Sequence, residues 1–332
     1  MSQLVKKMNL QNSKVVKKLG LQKVIALFVL VLIYAFFAMS SPAFRSMNTL
    51  VSIFDASYYV GFLAIGVTFV IITGGIDLSI GTVMMCSALI GGIAYNEFGI
   101  PFWLTMIIMI LVGMFFGLLN GLMVAKLKLP AFIATLGTMM VTTGLGSIVS
   151  NVRSVSFPLR SAESGWFRSI FRTADNFPIG IFVLVILGIA AAIVLNKTKL
   201  GRYIFAIGSN IEATRLSGVN VVKWQTWAYI ISGMFAGIAA ISYAAIYTTI
   251  LPGSGGGMEL DAIAAVVVGG TSLAGGVGSI LGTFIGVYIM TILQIGLPFI
   301  NLQPHYQTFI TGFVVILAVY ADIYRNKKQG GR

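Results

Sequence analysis

Charge is absent from this sequence over long stretches. Several runs of 18 or more residues contain no Asp, Glu, Lys or Arg. Apolar runs of that length are the signature of helices that cross a bilayer, because a span needs about 20 residues to cover ~30 Å of hydrocarbon. The 332 residues are 58% hydrophobic and 9% charged, against about a quarter charged in an ordinary soluble domain. One aqueous core cannot bury that much apolar surface. The pattern predicts an all-α polytopic membrane protein with about ten transmembrane helices, some of them Gly-rich, broken or re-entrant. The expected spans are 24–39, 50–73, 80–96, 102–124, 131–150, 178–195, 226–249, 260–270 running into a glycine-rich stretch, 280–297 and 306–324.

Charge placement predicts the orientation. With ten spans both termini share one side, and placing them in the cytoplasm puts 17 basic residues inside and five outside (Arg45, Arg153, Arg160, Arg168 and Arg172). That asymmetry follows the positive-inside rule. It divides the chain into a basic cytoplasmic tail (1–23), one transmembrane domain (24–324) and a second basic tail (325–332). The longest connections are an outer loop at 151–177 and an inner loop at 196–225. Cleavage of the first apolar run as a secretory signal is the alternative; it would leave nine spans and an outside N-terminus.

Several chemistries are excluded. The single cysteine, Cys86, and single histidine, His305, supply no disulfide and no His/Cys metal cluster. No G-x-x-x-x-G-K-[ST] phosphate loop occurs, so the chain is not expected to hydrolyse ATP itself. The net charge of +13 lies between apolar runs and follows membrane topology, not nucleic-acid binding.

Three segments depart from uniform apolarity. In Gly74-Gly75-Ile76-Asp77-Leu78-Ser79-Ile80-Gly81, two glycines permit a reversal before an aspartate that is expensive at membrane depth. Asp77 or Ser79 either caps the following helix at the cytoplasmic interface or belongs to a gate or pathway. In the second segment, Glu259 and Asp261 open a helix whose dipole they complement. The run Gly269-Gly270-Thr271-Ser272-Leu273-Ala274-Gly275-Gly276 follows, too glycine-dense for a regular span. The two segments align loosely at an offset of 195 (Gly74 with Gly269, Gly75 with Gly270). The third segment, in the inner loop, reads Ser209-Asn210-Ile211-Glu212-Ala213-Thr214-Arg215-Leu216-Ser217-Gly218. Ser209 and Glu212 form a capping-box pattern and Gly218 ends the short helix, a shape suited to docking on another protein. Gly113, Gly117 and Gly121 stand four residues apart, the spacing of close helix approach in lipid.

No Lys, Arg or His falls at a span centre, which argues against an ion-coupled secondary carrier. A pathway would be lined instead by neutral groups: Asn120, Thr135, Thr138, Thr142, Thr143, Tyr58, Tyr59 and Gln294.

The blocks GGIDLSIG (Gly74 to Gly81), LPAFIATLGTMM (Leu129 to Met140), GRYIFAIGSNIEATRLSGVNV (Gly201 to Val221) and ELDAIAAVVVGGTSLAGGVGS (Glu259 to Ser279) resemble the permease subunits of bacterial ATP-binding-cassette importers for simple sugars, the ribose/galactose/xylose group, related to branched-chain amino acid permeases. The resemblance runs from about residue 24 to 324. It implies a bacterial inner-membrane permease that works as a homodimer, or as a pair with a related subunit. Its partners are a cytoplasmic ATPase, usually two fused cassettes, that holds ATP and magnesium, and a periplasmic or lipid-anchored sugar-binding protein. The permease itself carries no cofactor. Ser209, Asn210, Glu212, Ala213, Thr214, Arg215 and Gly218 match the coupling helix that meets the ATPase. Gly74, Gly75, Asp77, Ser79, Asn120, Thr138, Gly269, Gly270, Gly275 and Gly276 become pathway or gating candidates. Related permeases carry autoinducer-type furanosyl compounds, polyols, nucleosides or, with distinguishable blocks, amino acids.

Overall fold

The computed structural model describes residues 21–329. The expected basic N-terminal tail therefore falls largely outside the described residues, as do the last three residues of the C-terminal tail.

Twelve α-helices follow in chain order among the described residues: α1 Leu21–Ser40, α2 Met47–Ile72, α3 Ile80–Asn96, α4 Phe102–Gly121, α5 Ala131–Val149, α6 Gly180–Lys197, α7 Lys199–Ser209, α8 Ile211–Leu216, α9 Val221–Tyr247, α10 Met258–Val268, α11 Ile280–Gly296 and α12 Pro304–Gln329. α4 runs on into a π-helical turn, Leu122–Lys126. Two short strands, β1 Val155–Ser156 and β2 Thr249–Ile250, pair antiparallel with Val155 opposite Ile250.

Among the described residues, seven segments are long and apolar enough to cross a membrane: Lys23–Ser40, Met47–Ile72, Phe102–Lys126, Ala131–Val149, Gly180–Lys197, Val221–Tyr247 and Ile280–Ile300. The chain is a mostly helical, polytopic membrane protein. The other three expected spans fall on α3, α10 and α12. α3 has 17 residues and α10 only 11, because the segments before them are not helical. α12 has 26 residues but is not one of the seven.

α2 is the axis of the bundle. Nearly all of it is buried, and it packs against α9, α11, α10 and α6. A helix hydrophobic on every side belongs inside a larger assembly of helices. By contrast α1, α4, α5, α6 and α12 expose Phe, Ile, Leu and Val on their outward faces, the arrangement expected where lipid is the solvent.

The most extensively packed helix pair is α4 on α9. Gly113 faces Gly233 and Gly237, and Gly117 faces Tyr229 and Ile230. Gly121 faces Thr226, whose hydroxyl donates to the Gly121 carbonyl at 3.3 Å. The four-residue glycine spacing thus serves close helix packing, as expected. At the far end β1 and β2 tie the 151–177 loop to the end of α9, burying Val155, Phe157 and Ile250.

A side chain at Gly113 would meet the backbone of Gly233, which cannot move aside. Gly113→Val should cost about 1–3 kcal/mol and lower the melting temperature of the detergent-purified protein by several degrees. Ile186→Ala, on the exposed face of α6, should leave it nearly unchanged.

Candidate functional site

Two helices stop at glycines in the same way. After α2, Thr73 is followed by Gly74 at φ +79°; the Gly74 N–H donates to the Ile71 carbonyl and the Gly75 N–H to Val70. After α10, Gly269 is followed by Gly270 at φ +100°; the Gly270 N–H donates to Val267 and the Thr271 N–H to Val266. Only glycine adopts this left-handed geometry without steric cost. The matching register is Gly74 with Gly270, an offset of 196. The 195 alignment is therefore corrected: Gly269, at φ −67°, is the counterpart of Thr73, not of Gly74. The second break is the longer, and turns again at Gly275 and Gly276, both at positive φ.

These breaks meet each other and the end of α7. The Gly276 N–H donates to the Ile72 carbonyl at 2.9 Å, closing one break against the other. Gly208 is wedged between the same two groups so tightly that a Cβ there would overlap both. Gly275 lies against the Gly74 amide and the Gly208 carbonyl, and Gly276 against Ser209. All three segments that stand out in the sequence therefore converge at one end of the bundle. Gly208 is a contact that sequence reasoning missed; a glycine one residue before a helix end is the one signal that pointed to it.

Beside this junction Asp77 is 1% exposed and bonds to the start of α3, to α4 and to α9. Its Oδ1 accepts from the Ser79 N–H (3.1 Å), the Ser79 hydroxyl (2.7 Å) and Asn120 Nδ2 (3.3 Å); its Oδ2 accepts from the Ser232 hydroxyl on α9 (3.0 Å). Asn120 also donates to Ser79 Oγ at 2.8 Å and accepts from the Thr138 hydroxyl at 2.5 Å. The Thr142 hydroxyl donates to Thr82 at 2.8 Å, and the Tyr229 hydroxyl to the Ile76 carbonyl at 3.2 Å. This corrects the reading of Asp77 or Ser79 as an interfacial helix cap. Ser79 occupies the N-cap position of α3 without a side-chain cap bond, and Asp77 makes a local turn onto Ser79 while its remaining acceptor sites reach α4 and α9. A buried carboxylate needs several donors to be tolerated, and α4, α9 and the start of α3 supply them. The π turn immediately after Asn120 marks α4 as irregular at this level. Ser232 is a network member that sequence reasoning missed, because a serine in an apolar helix carries no distinguishing signal.

α8 hangs from the junction. The expected capping box is corrected by one residue. Asn210, not Ser209, caps α8 by accepting from the Ala213 N–H at 2.9 Å, while the Ser209 hydroxyl is the last of α7 and donates to Phe205. Glu212 instead reaches Arg215 at 3.4 Å, both side chains more than half exposed. Gly218, at φ +80°, ends the helix as expected, with its N–H on Arg215. Thr214 is buried, whereas Leu216 is 87% exposed. That exposed leucine, unmarked in the sequence reading, follows Arg215 directly; a groove of about 460 Å³ lies between α7 and α8.

The neutral pathway candidates separate. Asn120, Thr138 and Thr142 join the Asp77 network. Thr135 and Thr143 bond only to carbonyls of their own helix. Tyr58 is core, packed on Phe171. Tyr59 and Gln294 line a separate cleft near the opposite end. In the 151–177 loop, Arg168 is 8% exposed and donates to the Pro158 and Ala245 carbonyls, and Arg172 pairs with Asp55. Arg160 donates to the Arg172 carbonyl, so the loop arginines serve chiefly to fold the loop down onto the bundle.

The network makes a specific demand. Asp77→Leu strands the Ser79, Asn120 and Ser232 donors and should cost about 2–4 kcal/mol, read as a large drop in melting temperature. Thr138→Val, which removes only one donor, should cost roughly 1 kcal/mol.

Residues 49–319 match the family described as branched-chain amino acid transport system / permease component. The chain is 39% identical over 308 residues to the Escherichia coli K12 ribose import permease protein RbsC, covering 92% of this chain and 94% of that one. It is 34% identical to the Haemophilus influenzae galactose/methyl galactoside import permease protein MglC (91% and 94% covered) and 32% identical to the xylose transport system permease protein XylH of the same organism (94% and 99%). No solved structure matches it. On the length and strength of these matches, the chain belongs to the branched-chain amino acid transport system permease family.

Proposed function

We propose that this chain is the permease subunit of an ATP-driven importer, forming the pathway for a simple sugar of the ribose, galactose or xylose kind. The relatives with those substrates in their names support the cargo class, and the missing midplane cations suit a neutral solute. The observation that carries the mechanism is the wedge at Gly208. α7 and α8 cannot shift without moving Ile72 and Gly276, the joint of the two broken helices.

In this reading the chain lies in the bacterial inner membrane with about ten spans, α3, α10 and α12 included, and both termini in the cytoplasm. Its transmembrane domain covers residues 24–324. A second copy completes the pathway. A cytoplasmic ATPase, two cassettes in one chain, binds nucleotide and magnesium and grips α8 through Asn210, Glu212, Ala213, Arg215 and the exposed Leu216. A periplasmic or lipid-anchored sugar-binding protein delivers the cargo. Closure of the cassettes draws on α8, and the strain passes through Ser209 and Gly208 to the break at Gly269, Gly270, Gly275 and Gly276 and the break at Gly74 and Gly75. Beside it the Asp77, Ser79, Asn120 and Thr138 network holds α3, α4 and α5 as one body that moves with α9.

The exposed Glu212–Arg215 pair contributes on the order of 0.5 kcal/mol to folding. Arg215→Glu should therefore leave the melting temperature nearly unchanged while ATP-driven ribose uptake into proteoliposomes containing ATPase and binding protein falls about tenfold, the effect of losing ~1.4 kcal/mol at the docking surface. Uptake at the wild-type rate would remove α8 from the coupling path.

A further inference from the structure

The chain leaves β2 at Ile250 and runs through residues 251–257 without helical structure before α10 begins at Met258. Glu259, in the first turn of α10, lies against Gly81 in the first turn of α3, so α10 starts well inside the bundle. Above that start, a cleft of about 1070 Å³ lies between α2, α10, α11 and α12. It reaches from Thr49 and Ser52, near the beginning of α2, inward to Tyr59, ~15 Å along that helix from Thr49. At this inner end Gln294 of α11 donates from Nε2 to Asp261 Oδ2 at 2.6 Å, and both side chains line the cleft. Tyr59 is braced from behind by Tyr243 and Tyr247, edge-on at 5.3 and 6.1 Å.

The chemistry of this wall is selective. It offers a carboxylate, an amide carbonyl and threonine and serine hydroxyls, with no Lys or Arg among the lining residues. An anion would meet only repulsion from Asp261. A ligand rich in hydroxyl donors satisfies both oxygens of the Asp261–Gln294 pair, and the ring of Tyr59 suits its C–H face. The hydrogen bond from Gln294 fixes the carboxylate orientation before any ligand arrives, which lowers the ordering cost of binding.

We propose that this cleft is a transit site for a neutral polyhydroxylated ligand in the permease itself, with Asp261 and Gln294 as the recognising pair. The proposal rests on the importer reading and adds to it a sugar site within this chain. The site is at the opposite end of the bundle from α8, where a delivered sugar would enter.

The test uses the full complex with its ATPase in proteoliposomes. Cys86, the one cysteine, is buried; in a Cys86→Ser background, Leu260→Cys places a thiol on a half-exposed cleft position beside Asp261. D-ribose or D-galactose should slow its labelling by a methanethiosulfonate reagent, whereas gluconate and choline should not. Adding Asp261→Asn should weaken the sugar protection about tenfold, the loss of one charge-assisted hydrogen bond, and Gln294→Leu should do the same while leaving the carboxylate in place. Labelling that no sugar slows, that gluconate or choline slows equally, or that stays protected in both variants would overturn the site. ATP-driven uptake by the unsubstituted complex is measured alongside. Uptake without protection removes the transit site and keeps the importer. Protection without ATP-driven uptake keeps the site and removes the importer.

Discussion

A helix that stops inside a bundle leaves polar backbone groups with no water to take them up, and each such group is costly in an apolar setting. This chain interrupts two helices, after α2 and after α10; each end is closed mainly by its own glycine turn, and one bond joins the two breaks. The Ile72 carbonyl accepts from Gly276, and Gly208 closes over the pair. Backbone meets backbone there with no side chain between them, so α7 and the two breaks are packed directly on one another.

The Asp77 network stands next to that joint and follows from the same constraint. The non-helical residues between α2 and α3 carry a carboxylate into the interior, where it is tolerated only with a full set of donors. Asn120 is the hub: it bonds Asp77 and Ser79 with one end and Thr138 with the other, so α4 links the start of α3 to α5. Ser232 adds α9 to the same anchor. The glycines along α4 bring α9 near enough for that bond to form. Small residues and buried polar groups thus act together: the former set the distance and the latter fix the register.

The two ends of the bundle are built for different tasks. The α7–α8 end presents an exposed charge pair and an exposed leucine on a short, well-capped helix, features of a protein contact. The other end is covered by a loop that Arg168 and Arg172 hold to α9 and α2, and a largely apolar cleft with a few polar groups enters at that end. In the proposed function the two ends serve as the energising contact and the solute path. The relatives are import permeases, and a permease has to join an energising contact on one side to a solute path from the other.

The sequence by itself determined the class of the protein. Long uncharged runs point to membrane helices, the spacing of Gly113, Gly117 and Gly121 to a packing face, and Gly218 to a helix end. It also marked the three segments that matter. The tertiary structure decided what they do together. Pattern reading located Asp77 near a helix start, and a cap is what such a residue usually forms; the bonds to Asn120 and Ser232 come from helices 43 and 155 residues away in sequence, which no local spacing encodes. Asn210 displaced Ser209 as the cap of α8 because Ser209 is still helical at the end of α7. Gly208 looked like one glycine among 38. Its importance lies in the absence of a side chain at a point where three backbones cross, and only the folded chain shows where they cross.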